Sequence, residues 1–343
     1  MLSLFSLLFW YIIKFTGQNK TNAILNRLLS AIMICLLAVP VFAQMTGPIV
    51  DYRPKVAEFS AETLMDYGTN STSSEYGNAS NEIERDRLYK AKLGIPLLIR
   101  DDKMFAIQLK YYQQRFLLDL EEHPTDYDFY LHLNSTKYTS AGIRGLYKKD
   151  LQNGSELKIA AGAELKSDVW VWNKNSSKYF ISAFQTWQKS STTEIGGGLM
   201  VGQNLGVTNV YPIFIYQHDF RNKWTIDLML PKYAAMRYRI NPSNYIIAKA
   251  QLSGWRYNLT NALEDNQGDL TLRKADVQFS LSWEREIHDW LWFGADIGYN
   301  KNVSYYLAQP GDRGRDALIH INPRDAMYTK VSIFMVPPRK FFQ

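Results

Sequence analysis

Thiols and imidazoles are scarce in this chain. It has one cysteine, Cys35, and five histidines among 343 residues. Cys35 lies within residues 1–43, so the remainder can hold no disulfide framework and no cysteine-based metal site. The histidines are His123, His132, His218, His288 and His320, and no two have the i, i+4 spacing of a helical metal site. The composition disfavours a metal or thiol enzyme, and no cofactor is expected. Long apolar runs are missing too. After residue 45 none reaches the roughly 20 residues that a helix needs to cross a bilayer. A dominant charge is also absent. The net charge is +6, but three of the 39 basic residues and none of the 33 acidic ones lie in residues 1–43. What remains shows no basic cluster of the kind that marks a nucleic-acid footprint.

What is present is aromatic and alternating: 22 Tyr, 17 Phe and 9 Trp. From Leu270 to Asn300, Val277, Phe279, Leu281 and Trp283 alternate with Asp276, Gln278, Ser280, Ser282 and Glu284. After a short polar turn, Leu291, Phe293, Ala295, Ile297 and Tyr299 alternate with Trp292, Gly294, Asp296, Gly298 and Asn300. A period of two makes a strand with two unlike faces. Each arm has roughly the 9–11 residues that cross a bilayer as a tilted strand. Trp283, Trp290, Trp292 and Tyr299 sit near the arm ends, where interfacial girdles lie. The stretch reads as a transmembrane hairpin. The competing architecture is a secreted soluble β-protein, with shorter strands and an apolar interior.

Asn26-Arg27 precedes the apolar core LLSAIMICLLAV, and Val41-Phe42-Ala43 puts small residues where a signal peptidase reads. Residues 1–43 are therefore read as an N-terminal extension plus a cleaved signal peptide, and residues 44–343 as one domain. The core is too short for a membrane anchor. A second apolar run, Leu2 to Ile13, fits a start site assigned too early or a long n-region.

Alternating segments then recur between polar breaks. The short breaks are RDDK, DLQNGS with its Asn153-Gly154 hairpin signal, QKSS, DFRN, NPSN and EIHD. The Ser/Asn-rich stretch GTNSTSSEYGNASN reads as a loop, and Tyr127–Lys148 as one extended or broken strand. Counting Leu230-Pro231-Lys232-Tyr233 as a turn gives about fourteen strands, an even number with both ends on one side. Counting it as a bulge gives an odd number, and about twelve is also compatible. The expected fold is an all-β, antiparallel, up-and-down transmembrane barrel. Lipid cannot satisfy backbone N–H and C=O groups, so an open sheet edge is excluded. The polar face of each strand then looks inward. The lumen-facing candidates are Lys90, Lys92, Lys110, Arg144, Lys158, Glu164, Asp227, Arg237, Arg239, Lys249, Asp276, Glu284 and Asp296.

The ending VFAQ, the long alternating strands, the element LPKYAAMRYRI and the strand SGWRYNL resemble an uncharacterised family of bacterial outer-membrane β-barrels. The resemblance runs from about Pro54 to Met335 and rests on barrel-structural motifs. It implies a place in the outer membrane of a Gram-negative bacterium, with its lipid and the barrel assembly machinery as partners. It supplies no catalytic residues. In one respect the chain departs from the pattern. Pro337-Pro338 follows the last strand, and Phe342 is only penultimate to Gln343.

Three functions remain open. A pore would pass small polar or anionic solutes, with Lys90, Lys92, Lys110, Arg237, Arg239 and Lys249 forming a cationic eyelet. A non-conducting barrel would instead fill its lumen with salt bridges and bind partners through the loops at 67–83, 117–126 and 301–325. A lipid hydrolase would need His132 and Ser135 as base and nucleophile. In a strand those two side chains point to opposite faces and cannot pair. Gly196-Gly197-Gly198 lacks the lysine and the helix of a phosphate loop and reads as room for neighbouring side chains.

Overall fold

The computed structural model describes residues 54–125, 127–171, 175–202, 209–220, 223–263 and 268–339. The signal-peptide assignment for residues 1–43 lies outside them. The described chain is almost entirely strand. In order these are β1 (Ala57–Leu64), β2 (Tyr67–Ser73), β3 (Gly77–Arg100), β4 (Lys103–Leu118), β5 (Lys137–Asp150), β6 (Ser155–Ser167), β7 (Ser177–Ser190) and β8 (Thr193–Gly202). The second half carries β9 (Asn209–Asp219), β10 (Trp224–Leu230), β11 (Tyr233–Asn241), β12 (Asn244–Thr260), β13 (Asp269–His288), β14 (Leu291–Ala308), β15 (Ile319–Pro323) and β16 (Ala326–Met335). One helix, α1 (Asp128–Ser135), lies between β4 and β5.

Consecutive strands pair antiparallel, and β1 closes the sheet by pairing with both β3 and β16. β2 continues the register of β1 against β3. β15 likewise continues that of β16 against β14. Each pair is thus one interrupted stave, and the barrel has fourteen. LPKY is a tight turn between β10 and β11, where Met229 pairs with Tyr233. All six short breaks read from the sequence lie at the end that carries the first and last staves. At one of them Gly154 takes a φ of 70° that a side chain would strain. The backbone N–H of Ser155 donates to Asn153 Oδ1, which fixes the same turn.

Alternation decides which way side chains point. Phe279, Leu281, Ile297, Val331 and Ile333 are exposed on the outer wall, whereas Gln278, Ser282, Glu284 and Asn300 are buried inside. Trp292 corrects the girdle expectation. It falls on the inward parity, is 5% exposed, and stacks on Phe334 at 6.2 Å beside Tyr245. With Ile247 and Val336 it forms an apolar cluster at the end bearing the short turns. Three positions on the inner face of β8 are glycine: Gly196, Gly198 and Gly202. A Cβ on Gly196 would meet Thr186, and one on Gly198 would overlap Phe184 and the Ala183 carbonyl.

The opposite end is plugged. Phe129, Tyr130 and Leu133 of α1 are fully buried among Phe116, Tyr138, Tyr257, Leu272 and Leu307 from the surrounding wall. Fully burying each such side chain stabilises by roughly 1.5–3 kcal/mol. Tyr130 Oη is hydrogen-bonded to Thr69 Oγ1 at 3.0 Å and Ser71 Oγ at 2.8 Å. Two expectations change here. The Ser/Asn-rich stretch is strand, because β2 pairs with the start of β3 on one side and with β15 on the other. The start of Tyr127–Lys148 is helix. The rim is also uneven. β10 has 7 residues and β13 has 20, and above the short staves β12 meets β6 in a parallel contact, Asn258 opposite Ser167.

Candidate functional site

The candidate site is the lumen between the two apolar clusters. Period-two alternation places its ionic side chains, and most meet a partner of opposite sign. Lys90 Nζ donates to Glu62 at 2.7 Å and Lys92 Nζ to Glu58 at 2.8 Å. Lys110 Nζ donates to Glu164 at 2.8 Å, and Lys166 lies 3.1 Å from the same carboxylate. Lys158 pairs with Glu156 and lies 3.8 Å from Glu194. Asp296 and Glu58 share Lys330, at 3.5 and 3.6 Å. Glu284 accepts from Lys55 at 2.7 Å. Asp276 lies 3.5 Å from Lys274 and accepts from Asn302 at 2.9 Å. Asp227 accepts from Tyr233 Oη at 3.2 Å, with Arg237 acting on it electrostatically. Arg239 lies near the short-turn end of β11, where its amide donates to the Lys223 carbonyl.

This pairing redraws the expected eyelet. Lys90, Lys92 and Lys110 are each held by a carboxylate and do not form a free cationic ring. Arg144, Lys232 and Lys249 have no carboxylate partner among the described residues; Lys178 and Arg273 have none either, but they donate to the Arg256 carbonyl and the Tyr306 hydroxyl. The Arg144 guanidinium lies 5.6 Å from the Phe180 ring centroid, and its Nε is buried without a hydrogen bond. Lys249 projects inward from the middle of β12, where Lys330 and Asp296 act on it electrostatically without an ion pair to either. Lys232 sits in the β10–β11 turn. That hairpin is short, so its turn is level with the middle of β12, where the Leu252 amide donates to the Lys232 carbonyl at 2.9 Å. β4 and β11 face each other across the barrel. Lys232 therefore looks across the lumen, and Arg144, Lys110, Lys92 and Lys249 all act on it electrostatically. It is solvent-exposed at the rim of that short hairpin. To an anion about 10 Å away, each such cation contributes roughly 1.7 kcal/mol at an effective dielectric near 20.

Sequence reasoning missed Lys232 because turn positions carry no parity. It also missed Glu58 and Glu62, although their spacing on β1 puts both on one face. Gln278 bridges the halves of the network, donating to Glu62 at 3.2 Å and accepting from Gln251 at 2.6 Å.

The hydrolase pair does not assemble. His132 and Ser135 share α1, but Ser135 Oγ donates to the His132 backbone carbonyl at 3.3 Å. The imidazole points to the β6–β7 loop, with Nε2 3.3 Å from Asp168 Oδ2. Burial alone would raise the Asp168 carboxyl. The His132 ring, the Thr260 amide and the Ser167 hydroxyl more than offset that and hold it below the usual range.

Residues 132–311 match the model of a family described as a domain of unknown function (DUF6268). No curated protein matches the chain. Among solved structures, a Pseudomonas aeruginosa FadL homologue aligns with a TM-score of 0.43 and 9% identity, over 84% of this chain and 90% of its own. An outer-membrane channel from Pseudomonas putida F1 gives 0.41 and 10%, over 83% and 98%. Outer membrane phospholipase A from Escherichia coli gives 0.33 and 9%, over 83% and 97%.

Proposed function

The chain belongs to the DUF6268 family of unknown function, and from that premise we propose that it is a gated conduit for small polar or anionic solutes in the outer membrane of a Gram-negative bacterium. One observation carries the reading. A closed barrel with an apolar outer wall encloses a charged lumen in which Arg144, Lys232 and Lys249 meet no carboxylate among the described residues, with Lys232 exposed at its rim. A barrel serving only as a scaffold could fill that space with neutral or fully paired side chains. The aromatic plug around α1 is the gate in this reading. Residues 1–43 are the export signal, and outer-membrane lipid and the barrel assembly machinery are the partners. No reaction is assigned, because the only serine–histidine candidate lacks the geometry for nucleophilic attack.

The same plug favours a second reading, a non-conducting barrel that binds partners at its rim. Planar-bilayer recording on the purified, folded protein separates the two. The conduit reading expects single-channel steps whose reversal potential in a salt gradient favours anions. Silence from wild type and from plug-weakened variants alike would leave only the second.

A further inference from the structure

We infer that the lumen contains a discrete binding site for a small oxyanion, a carboxylate or phosphate, built from Arg144, Lys232 and Lys249. The inference deepens the conduit reading and rests on it for a route of entry.

Lumen cations fall into two classes. Lys90, Lys92, Lys110 and Lys330 each lie within 3.6 Å of a carboxylate oxygen. Arg144, Lys232 and Lys249 have none within ion-pair distance among the described residues, and unlike Lys178 and Arg273 they are not engaged by a backbone carbonyl or tyrosine hydroxyl instead. The second class is not scattered, since Arg144 and Lys249 both act on Lys232. They come from separate walls, with Arg144 on β5, Lys232 in the turn opposite and Lys249 on β12. Neighbouring carboxylates are already engaged. Glu164, the acid that acts on Arg144 electrostatically, is held by Lys110 and Lys166.

Arg144 defines the ligand class. Its guanidinium is backed by Phe180, and its Nε is buried without a hydrogen-bond partner among the described residues. A planar fork of N–H donors fits two oxygens of one carboxylate or phosphate, which a spherical halide cannot offer. Gly162 clears the space, because a Cβ there would strike the Phe180 ring that backs the fork. Lys232 and Lys249 supply point charges for the remaining oxygens. Lys232 is exposed on a two-residue turn and can adjust to ligand size.

The test is isothermal titration of the full-length, folded protein in neutral detergent, with sodium succinate and inorganic phosphate as probes over a constant chloride background. The expected result is one saturable site per chain for at least one probe. Arg144→Met and Lys232→Met should each weaken binding at least tenfold, while Lys301→Met on the exposed surface leaves it unchanged. Arg144→Lys keeps the charge without the fork and should fall between wild type and Arg144→Met, which keeps the test decisive if the methionine variant misfolds. Absence of saturable binding of both probes overturns the site. So does binding that survives Arg144→Lys and Lys232→Met at wild-type affinity. Bilayer conductance without binding removes the site and leaves the conduit standing, whereas binding without conductance supports the site and removes the conduit.

Discussion

Gly197 and Gly198 are adjacent, yet one position tolerates a side chain and its neighbour does not. Gly198 faces inward, where a Cβ would overlap Phe184 and the Ala183 carbonyl; Gly197 faces outward, with only the Ile213 carbonyl at 3.6 Å. Gly198→Val should therefore destabilise the barrel by about 1–3 kcal/mol, the usual range for overpacking. Gly197→Val should be near neutral. Denaturant midpoints of the folded protein in detergent check the pair, and equal effects would contradict the assigned faces. Charge behaves with the same locality. Glu58 serves both Lys92 and Lys330, so Glu58→Gln releases Lys92 into the lumen and leaves Lys330 to Asp296 alone. Anion preference in bilayer recordings should rise in that variant; an unchanged or cation-shifted reversal potential would count against a conducting lumen.

Among the elements, α1 shows where sequence legibility ends. Long strands such as β13 and β14 were readable because lipid on one side and water on the other force strict alternation. α1 has eight residues, too few for a helical period to stand out, and it is stabilised by the wall around Phe129, Tyr130 and Leu133 rather than by itself. The β2 hairpin hid for a related reason. Above the bilayer neither face needs to be apolar, so Thr69 and Ser71 sit buried as partners of Tyr130 where a loop was expected. Trp292 was placed by type and not by parity, and parity prevailed. Of the lumen cations, Arg144 and Lys249 were legible by alternation, whereas Lys232 depended on a hairpin height that no local pattern encodes.

Two outcomes follow for α1. Leu133→Ala removes a fully buried side chain, which costs about 2–5 kcal/mol in a packed core. If the plug is the gate, Leu133→Ala should raise open probability with the barrel still folded, as single-channel recording would reveal. The Asp168 tether adds a pH dependence. Its folded-state pKa lies below the unfolded value, so its contribution is complete above the ordinary carboxylate range, near pH 4. It is lost as pH falls through the lower folded value. Asp168→Asn should abolish that acid-side loss of plug stability, measured by amide exchange of α1. An unaltered acid profile would show that the tether is not linked to the plug.

For the molecule as a whole, the decisive property is closure. A barrel whose outer wall carries Phe279, Leu281, Ile297, Val331 and Ile333 should partition into detergent micelles and migrate differently before and after boiling. Identical mobility, or solubility without detergent, would return the soluble two-layer alternative.

The seam lies between β1 and β16, which are 274 residues apart at the Phe59–Ile333 pair. The first stave to leave the ribosome therefore waits for the last. Until Met335 is delivered, both borders of the growing sheet lack mates, and hydrocarbon offers none. A ribosome-release fragment ending before Ala326 should thus fail to integrate and remain a substrate for proteolysis, however much of the wall it carries.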